Sequence, residues 1–467
     1  MNEQGRYYFG LTVNELFFLT AGAFIAAGAF SLFFPEQGLW VYCGLAFTVF
    51  VLGQMCLMAA RVVILPELVA FVSCVQWIVA PWLSYLNPPE YFLYVMAVPQ
   101  EQYFSYMVPS SVALWVGLHL LVRVWPGPRL PVMPRQHLSP PERRFWDGMI
   151  VFGFFMMLVA GHLPQGLKFF YYLLGQLRFV GVFALMFAGA PGWVYRAAFV
   201  YTTLLLDTSA GGIFFEFILW CGYLFISLAY VRKWRWKLLV FLMISFTAVV
   251  LLNNVKKEFR NQIYTRDMTK VEKVRLLGRL MMAQPMPMTS RSRAFHEEAL
   301  GDRLVRYNQG WIIARVMKTV PSLEPYARGS TIVSGIKASL VPRVFYKSKI
   351  TSGSREFFKK YTDLNLAPGT SMALGIAGEM YANFGKTGGI TAMAVYGMLI
   401  GWLFSRFARL AKTNPIWWAW APFVLLSAVE AEWNMVEILN NIVKSLMAMF
   451  LLIYFVPLLR RRMIAKP

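Results

Sequence analysis

Residues 340–389 read LVPRVFYKSKITSGSREFFKKYTDLNLAPGTSMALGIAGEMYANFGKTGG, a polar, basic and glycine-rich stretch between long apolar runs. It carries Pro342-Arg343, the pair Lys347 and Lys349, and the cluster Arg355, Lys359 and Lys360. Near its end Glu379 stands in Gly378-Glu379-Met380-Tyr381-Ala382-Asn383-Phe384-Gly385. The flanking composition decides what the stretch is. Of 467 residues, 58% are hydrophobic and 15% charged. A soluble domain is nearer half apolar and a quarter charged. The mean hydropathy is +0.51. Apolar runs of about 18 residues or more read as transmembrane helices, because roughly 20 helical residues cross the hydrocarbon. The stretch is therefore a polar interruption in a membrane protein, and its function depends on which side it faces.

Working outward, the apolar runs fall at about 11–34, 39–60, 62–86, 110–124, 146–160, 169–188, 193–206, 213–230, 238–252, 389–407, 415–429 and 436–458. The expected fold is all-α, a polytopic integral membrane protein of about 12 transmembrane helices. The short runs between 160 and 212 leave the count at 11–13. Lys and Arg concentrate at Arg61, in the five-arginine, six-proline loop 123–144, at 232–237, at 406–412 and at 460–462. The turns 35–38, 87–109 and 207–212 have none. Short basic loops stay cytoplasmic. With twelve spans every basic loop lands on one side, which puts both termini in the cytoplasm and 253–385 outside.

That outside segment holds 22 Lys and Arg against 10 Asp and Glu, a net of +12 in a chain of +22. Long loops translocate regardless of charge, so this does not break the rule. The organisation expected is an N-terminal bundle of about nine spans (1–252), a basic, mostly helical loop domain (253–388), and C-terminal helices with a cytoplasmic tail (389–467). Outside the membrane, a basic domain meets anionic headgroups, diphosphates or acidic glycans, not nucleic acid.

Within the loop domain, 271–283 has helical apolar spacing with Lys273, Arg275 and Arg279 between, as in an interfacial amphipathic helix. A second helical stretch, 295–320, carries Arg303, Arg306 and Arg315. Arg328-Gly329-Ser330 turns the chain into a third helix, 331–340. Any one of these arginines could belong to a solvated face, but few acids are present to pair with so many. Arginine's planar fork matches phosphate oxygens. The glycines of 368–390 permit close backbone approach and left-handed turns, and the successive N–H groups of such turns can hold an anion. No GxxxxGK[ST] or GxGxxG string occurs, so nucleotide binding is not expected.

Cys43, Cys56, Cys74 and Cys221 lie in apolar runs without CxxC spacing, and His119, His137, His162 and His296 are scattered. Neither a disulfide framework nor a metal site is expected, and no cofactor. The first run is long enough to span and lacks a cleavage site. No repeat of 20–50 residues is visible. Ionisable residues inside spans mark functional interiors or helix-to-helix pairs. Here they are Glu67, Arg178, Glu216, Glu437 and Lys444, with Glu430 and Glu432 at the outer end of a span. Arg178 with Glu216 is the obvious pair.

The run Pro342-Arg343, nearby Lys347 and Lys349, a Gly/Ser-rich segment and the Gly-Glu-x-Tyr-x-Asn-Phe-Gly string at 378–385 stand directly before a span. In this the chain resembles the Wzy-type polymerases of bacterial O-antigen and exopolysaccharide synthesis, a family that also has eleven to fourteen spans and a large basic periplasmic loop late in the chain. The motif covers some 50 residues, or about 170 with the surrounding topology. The family's pattern of an arginine with glycine eleven residues on is not met at Arg303, Arg306, Arg315 or Arg328.

The resemblance implies a multi-pass inner-membrane enzyme that polymerises undecaprenyl-diphosphate-linked oligosaccharide repeat units by periplasmic glycosyl transfer. Its partners would be the bilayer, a chain-length regulator and a flippase. Glu379 and Arg343 are then the catalytic candidates. Glu379 would serve as base or acceptor-orienting group, with turn-capping as the structural alternative, and Arg343 would face the diphosphate. Arg303, Arg306, Arg315, Arg328, Lys347, Lys349, Arg355, Tyr381, Asn383 and Arg178 are candidates for substrate binding. Fixed cations meet the leaving group's charge without a metal. Rival readings are an O-antigen ligase or another transferase with a lipid-linked donor. A lipid-linked sugar flippase or an export-assembly subunit is a rival of another class. Transporters favour repeats and short loops, and this chain has neither.

Overall fold

The computed structural model describes residues 7–8, 10–122, 138–160, 162, 165–211, 214–234, 237, 240–241, 243–245, 247, 255, 258–259, 261–263, 268–283, 305, 307–340, 355–367 and 370–464. Among them the only sheet is the two-residue antiparallel pair Tyr7–Tyr8 and Leu11–Thr12. The rest is helical. Six helices are long and apolar enough to cross a membrane: Val13–Phe33, Leu39–Met58, Leu65–Leu86, Phe170–Phe187, Gly375–Thr413 and Met435–Phe455. Four more, Gln100–Leu120, Pro140–Ala160, Trp193–Gly211 and Phe215–Arg232, have 18 to 21 residues. Pro415–Val429 is a shorter apolar segment, broken into 3-10 and α turns. The chain is an α-helical membrane protein.

Two helices run side by side in the same direction through its centre. The Tyr106 hydroxyl of Gln100–Leu120 donates to the Ala377 carbonyl of Gly375–Thr413 at 2.8 Å. Further along, a Cβ on Gly117 would come within 2.2 Å of the Ala394 carbonyl, and one on Gly397 within 2.4 Å of that of Leu114. Glycine is needed at both positions because the backbones touch, the contact by which helices pack closely in lipid.

This pair sorts the turns. Gln100 donates to the Gln37 side chain at 3.0 Å, which holds the 35–38 turn at the Gln100 end. At the opposite end Arg61 pairs with Glu15 and Arg462 with Glu142, and Lys233 donates to the Ala60 carbonyl. Buried nearby, Glu67 faces His119 at 3.3 Å. The turns without Lys or Arg and the basic ones thus occupy opposite ends.

Of the basic segment, the described helices are Lys270–Met282, Gly310–Thr319, Ser330–Leu340 and Arg355–Thr362. A Thr269–Glu272 capping box starts the first. Gly310–Thr319 lies over the 87–99 loop: Trp311 meets Tyr94 edge-on, with centroids 5.0 Å apart, and Arg315 donates to the Phe92 carbonyl at 3.2 Å. The segment is therefore seated on the Gln100 end.

Several sequence boundaries move. The span expected to begin at 110 begins at Gln100, with Pro109 inside the helix. Proline removes one backbone hydrogen bond, and the buried packing of Tyr103, Phe104, Tyr106 and Met107 carries the helix through it. The arginine-proline segment gives its last residues to the helix Pro140–Ala160. Proline suits a first turn, where its missing N–H is no loss, and Glu142 accepts from the Ser139 N–H at 2.7 Å. Asp207, expected in a turn, lies inside Trp193–Gly211. Residues 375–384 form a helix, not a series of anion-holding turns, and the left-handed glycines stand at its two ends, Gly375 with φ +73° and Gly385 with φ +66°. The helix Gly375–Thr413 kinks at Gly385, φ +66° and ψ −162°, just before the expected boundary at 388. The run 169–188 forms two helices, Gln165–Gly175 and Leu177–Phe187, joined at Gln176. Most of the run 238–252 lies outside the described residues.

Candidate functional site

The Gln100 end is held by a clasp centred on Asn383 and Glu379. Arg328 and Gly329 enter the helix Ser330–Leu340 through left-handed conformations, φ +49° and +86°. Such a conformation costs a non-glycine residue roughly 1–2 kcal/mol, so Arg328 must be held there. Asn383 does this: its carbonyl accepts from the Arg328 N–H at 3.0 Å and its Oδ1 from the Gly329 N–H at 2.9 Å. Its Nδ2 donates to Thr331 Oγ1 at 2.7 Å and to the Glu379 carbonyl at 2.8 Å.

Glu379 completes the clasp. Its Oε1 accepts from the Thr331 hydroxyl at 2.7 Å and its Oε2 from the Met435 N–H at 2.8 Å. Met435 opens the helix Met435–Phe455, whose first N–H groups have no intrahelical partner, and an acid there also suits the helix dipole. Asn434 adds a second tie, accepting from the Leu374 N–H at 2.9 Å. Glu379 is 2% exposed and Asn383 1%. Three helix starts, at 330, 375 and 435, are thus joined by three buried side chains, Asn383, Glu379 and Asn434. Acting as a base would require Glu379 to release one of these bonds.

Of the residues singled out from sequence, this clasp brings together Glu379, Asn383 and Arg328. Tyr381 sits beside it, edge-on to Tyr106 with centroids 5.0 Å apart and hydrogen-bonded to Tyr326. Arg315 is at the same end, spent on loop carbonyls. Arg355 is exposed at the start of Arg355–Thr362, beside the ion pair Lys360–Glu324 at 3.1 Å. Lys386 donates to Ser105 at 2.9 Å. Arg303, Arg306, Arg343, Lys347 and Lys349 lie outside the described residues. Arg178 is inside the bundle and interacts with Glu216, a neighbour of Glu430. Thr331 and Asn434 were missed: Asn434 with Glu437 three residues on is a capping-box pattern that marks a helix start, but the ties of Asn434 and Thr331 to this site reach partners 60 and 48 residues away.

Acids border the clasp. Burial, then the neighbouring Glu432, Glu216 and Glu437, pushes the Glu430 carboxyl up to about 9 from its ordinary 4.5. The folded chain therefore holds this proton more tightly than the unfolded chain does. Stability falls as pH rises between those two values, and the loss is complete above the higher one. Glu430→Gln is expected to flatten the decline of the thermal midpoint from mildly acidic to alkaline pH. An unchanged slope would remove Glu430 as its source.

Chemically, this end offers guanidinium and ammonium groups beside buried acceptors and aromatic rings, a set that suits an anionic or hydroxyl-bearing ligand. Comparison with protein-family models, curated proteins and solved structures gave no match.

Proposed function

We propose that this chain is a membrane-embedded glycosyltransferase that polymerises lipid-linked oligosaccharide repeat units. The supporting observation is the seat of the basic segment. The Asn383–Glu379 clasp and the Gly310–Thr319 helix fix it on the end of the bundle that lacks Lys and Arg in its turns. By the positive-inside rule that end faces out. In this reading the chain has about twelve spans in a bacterial inner membrane, both termini are cytoplasmic, and the loop is periplasmic.

An undecaprenyl-diphosphate-linked glycan presents its diphosphate at the membrane surface, where such a segment waits. Glycosyl transfer breaks the bond between the anomeric carbon and the diphosphate oxygen, and the acceptor sugar's hydroxyl oxygen forms the new bond as its proton passes to water. The diphosphate leaves with the bonding pair, and fixed cations stabilise the charge that develops on it. Arg343, Lys347 and Lys349 are assigned to that task, with Arg328 and Arg355 flanking.

Two experiments test the reading. A strain lacking the gene should carry single repeat units on lipid and no long chains, and persistence of long chains would refute the assignment. In a chain whose own cysteines are replaced by alanine, Thr387→Cys should react with an impermeant maleimide added outside, and Arg409→Cys only after permeabilisation. The reverse pattern would invert the topology.

A further inference from the structure

Arg178 is a buried charge with donors to spare. It lies in the first turn of the helix Leu177–Phe187 and is 1% exposed. Its Nε and Nη1 donate to nothing among the described residues. Its guanidinium carbon is 4.7 Å from the ring centre of Phe179 and 5.6 Å from that of Phe154. Beside it Gln176, 7% exposed, donates through Nε2 to Glu216 Oε1 at 2.9 Å, while its Oε1 accepts nothing among the described residues. Tyr172 also hydrogen-bonds Glu216, and Arg178 interacts electrostatically with Glu216, Tyr172 and Asp207.

Buried polar groups left unpaired are costly, and an ionisable residue at membrane depth is costlier still. Here donors and an acceptor are left over on two side chains that both interact with Glu216. That combination selects the ligand. A phosphate would satisfy Arg178, but it brings negative charge against Glu216 and Asp207 and offers Gln176 Oε1 nothing. A metal or ammonium ion would satisfy the acids and be repelled by Arg178. A hydroxyl group is uncharged, accepts from the guanidinium and donates to Gln176 or Glu216.

We propose that Gln176, Arg178 and Glu216 form a binding site for a hydroxyl-rich ligand, a sugar ring, between the helices Leu177–Phe187 and Phe215–Arg232. Under the polymerase reading, on which only the ligand's origin rests, this ring belongs to the lipid-linked glycan. The site itself rests on the orphaned groups. It lies inside the bundle at the start of the helix Phe215–Arg232, where Phe214 and Ile218 pack against Phe259, Ile263 and Leu277 of the basic segment.

The test uses the purified full chain in lipid nanodiscs, with glucose, galactose, N-acetylglucosamine and inorganic diphosphate titrated separately against the thermal midpoint. At least one sugar should raise the midpoint saturably in the wild type. Arg178→Leu and Gln176→Leu should each abolish that shift. If Arg178→Leu does not fold, the arginine is structural and the proposal fails.

No sugar shift in the wild type, the result for a site holding only water, overturns the proposal. So does a sugar shift that survives both substitutions, or a diphosphate shift alone that Arg178→Leu abolishes. A chain that polymerises without a sugar shift overturns this site and leaves the reaction standing. A sugar shift in a chain that never polymerises does the opposite.

Discussion

Glu379→Ala is expected to destabilise the protein by about 2–4 kcal/mol, since each buried donor left unsatisfied costs roughly 1–3 kcal/mol and losing a buried carboxyl returns part of that. The donors are the Thr331 hydroxyl and the Met435 N–H. Their loss frees the starts of two helices at once, so the basic segment should loosen from the Gln100 end. Limited proteolysis between 284 and 304 should accelerate together with the fall in thermal midpoint. Glu379→Gln separates this role from acid-base chemistry. A glutamine can accept from Met435 through its oxygen and donate to Thr331 Oγ1 through its nitrogen, so the clasp survives. The clasp account expects this variant to stay folded and to extend chains at near the wild-type rate. A folded Glu379→Gln protein without chain growth would show that Glu379 is the base.

Arg343→Ala carries the second large effect, on rate and not on stability. Removing one preorganised donor from a developing negative charge lowers turnover about a hundred- to a thousand-fold. Arg343 follows Pro342, and Lys347 and Lys349 come close behind. These lysines can supply charge but not a two-pronged hydrogen bond. Arg343→Lys should therefore recover only part of the lost rate, with the same amount of protein inserted in the membrane. Wild-type chain lengths in the alanine variant would take Arg343 out of the site.

Most of the helical framework was legible because apolar length is a strong signal: 11–34, 39–60 and 436–458 correspond to Val13–Phe33, Leu39–Met58 and Met435–Phe455. Proline and glycine misled where packing overrode them. Pro109 reads as a boundary in isolation, yet aromatic burial on both sides keeps the helix intact. The glycines of 375–389 read as sites of close approach and left-handed turns; Gly375 and Gly385 are left-handed, while Gly378, Gly388 and Gly389 lie in helix, where each costs roughly 1 kcal/mol. Against Gln100–Leu120 the absence of a side chain becomes the condition for contact, as at Gly389, where a Cβ would meet the Tyr106 hydroxyl at 2.8 Å.

The site was legible only in part. Glu379 and Asn383 stood out by position, but their bonds to Thr331, Gly329 and Met435 join segments some fifty residues apart, and no local spacing encodes them. Arg178 and Glu216 were paired on charge alone. In the fold Glu216 accepts from Gln176 and Arg178 keeps two nitrogens unpaired, a distinction that side-chain geometry makes and sequence does not.

The most direct measurement is chain growth by the purified protein. Reconstituted in liposomes with undecaprenyl-diphosphate-linked repeat units, the wild-type chain should convert them into a ladder of longer lipid-linked glycans and release undecaprenyl diphosphate in proportion to each bond formed. Repeat units recovered unchanged, from protein shown to be folded and correctly oriented, would contradict the account.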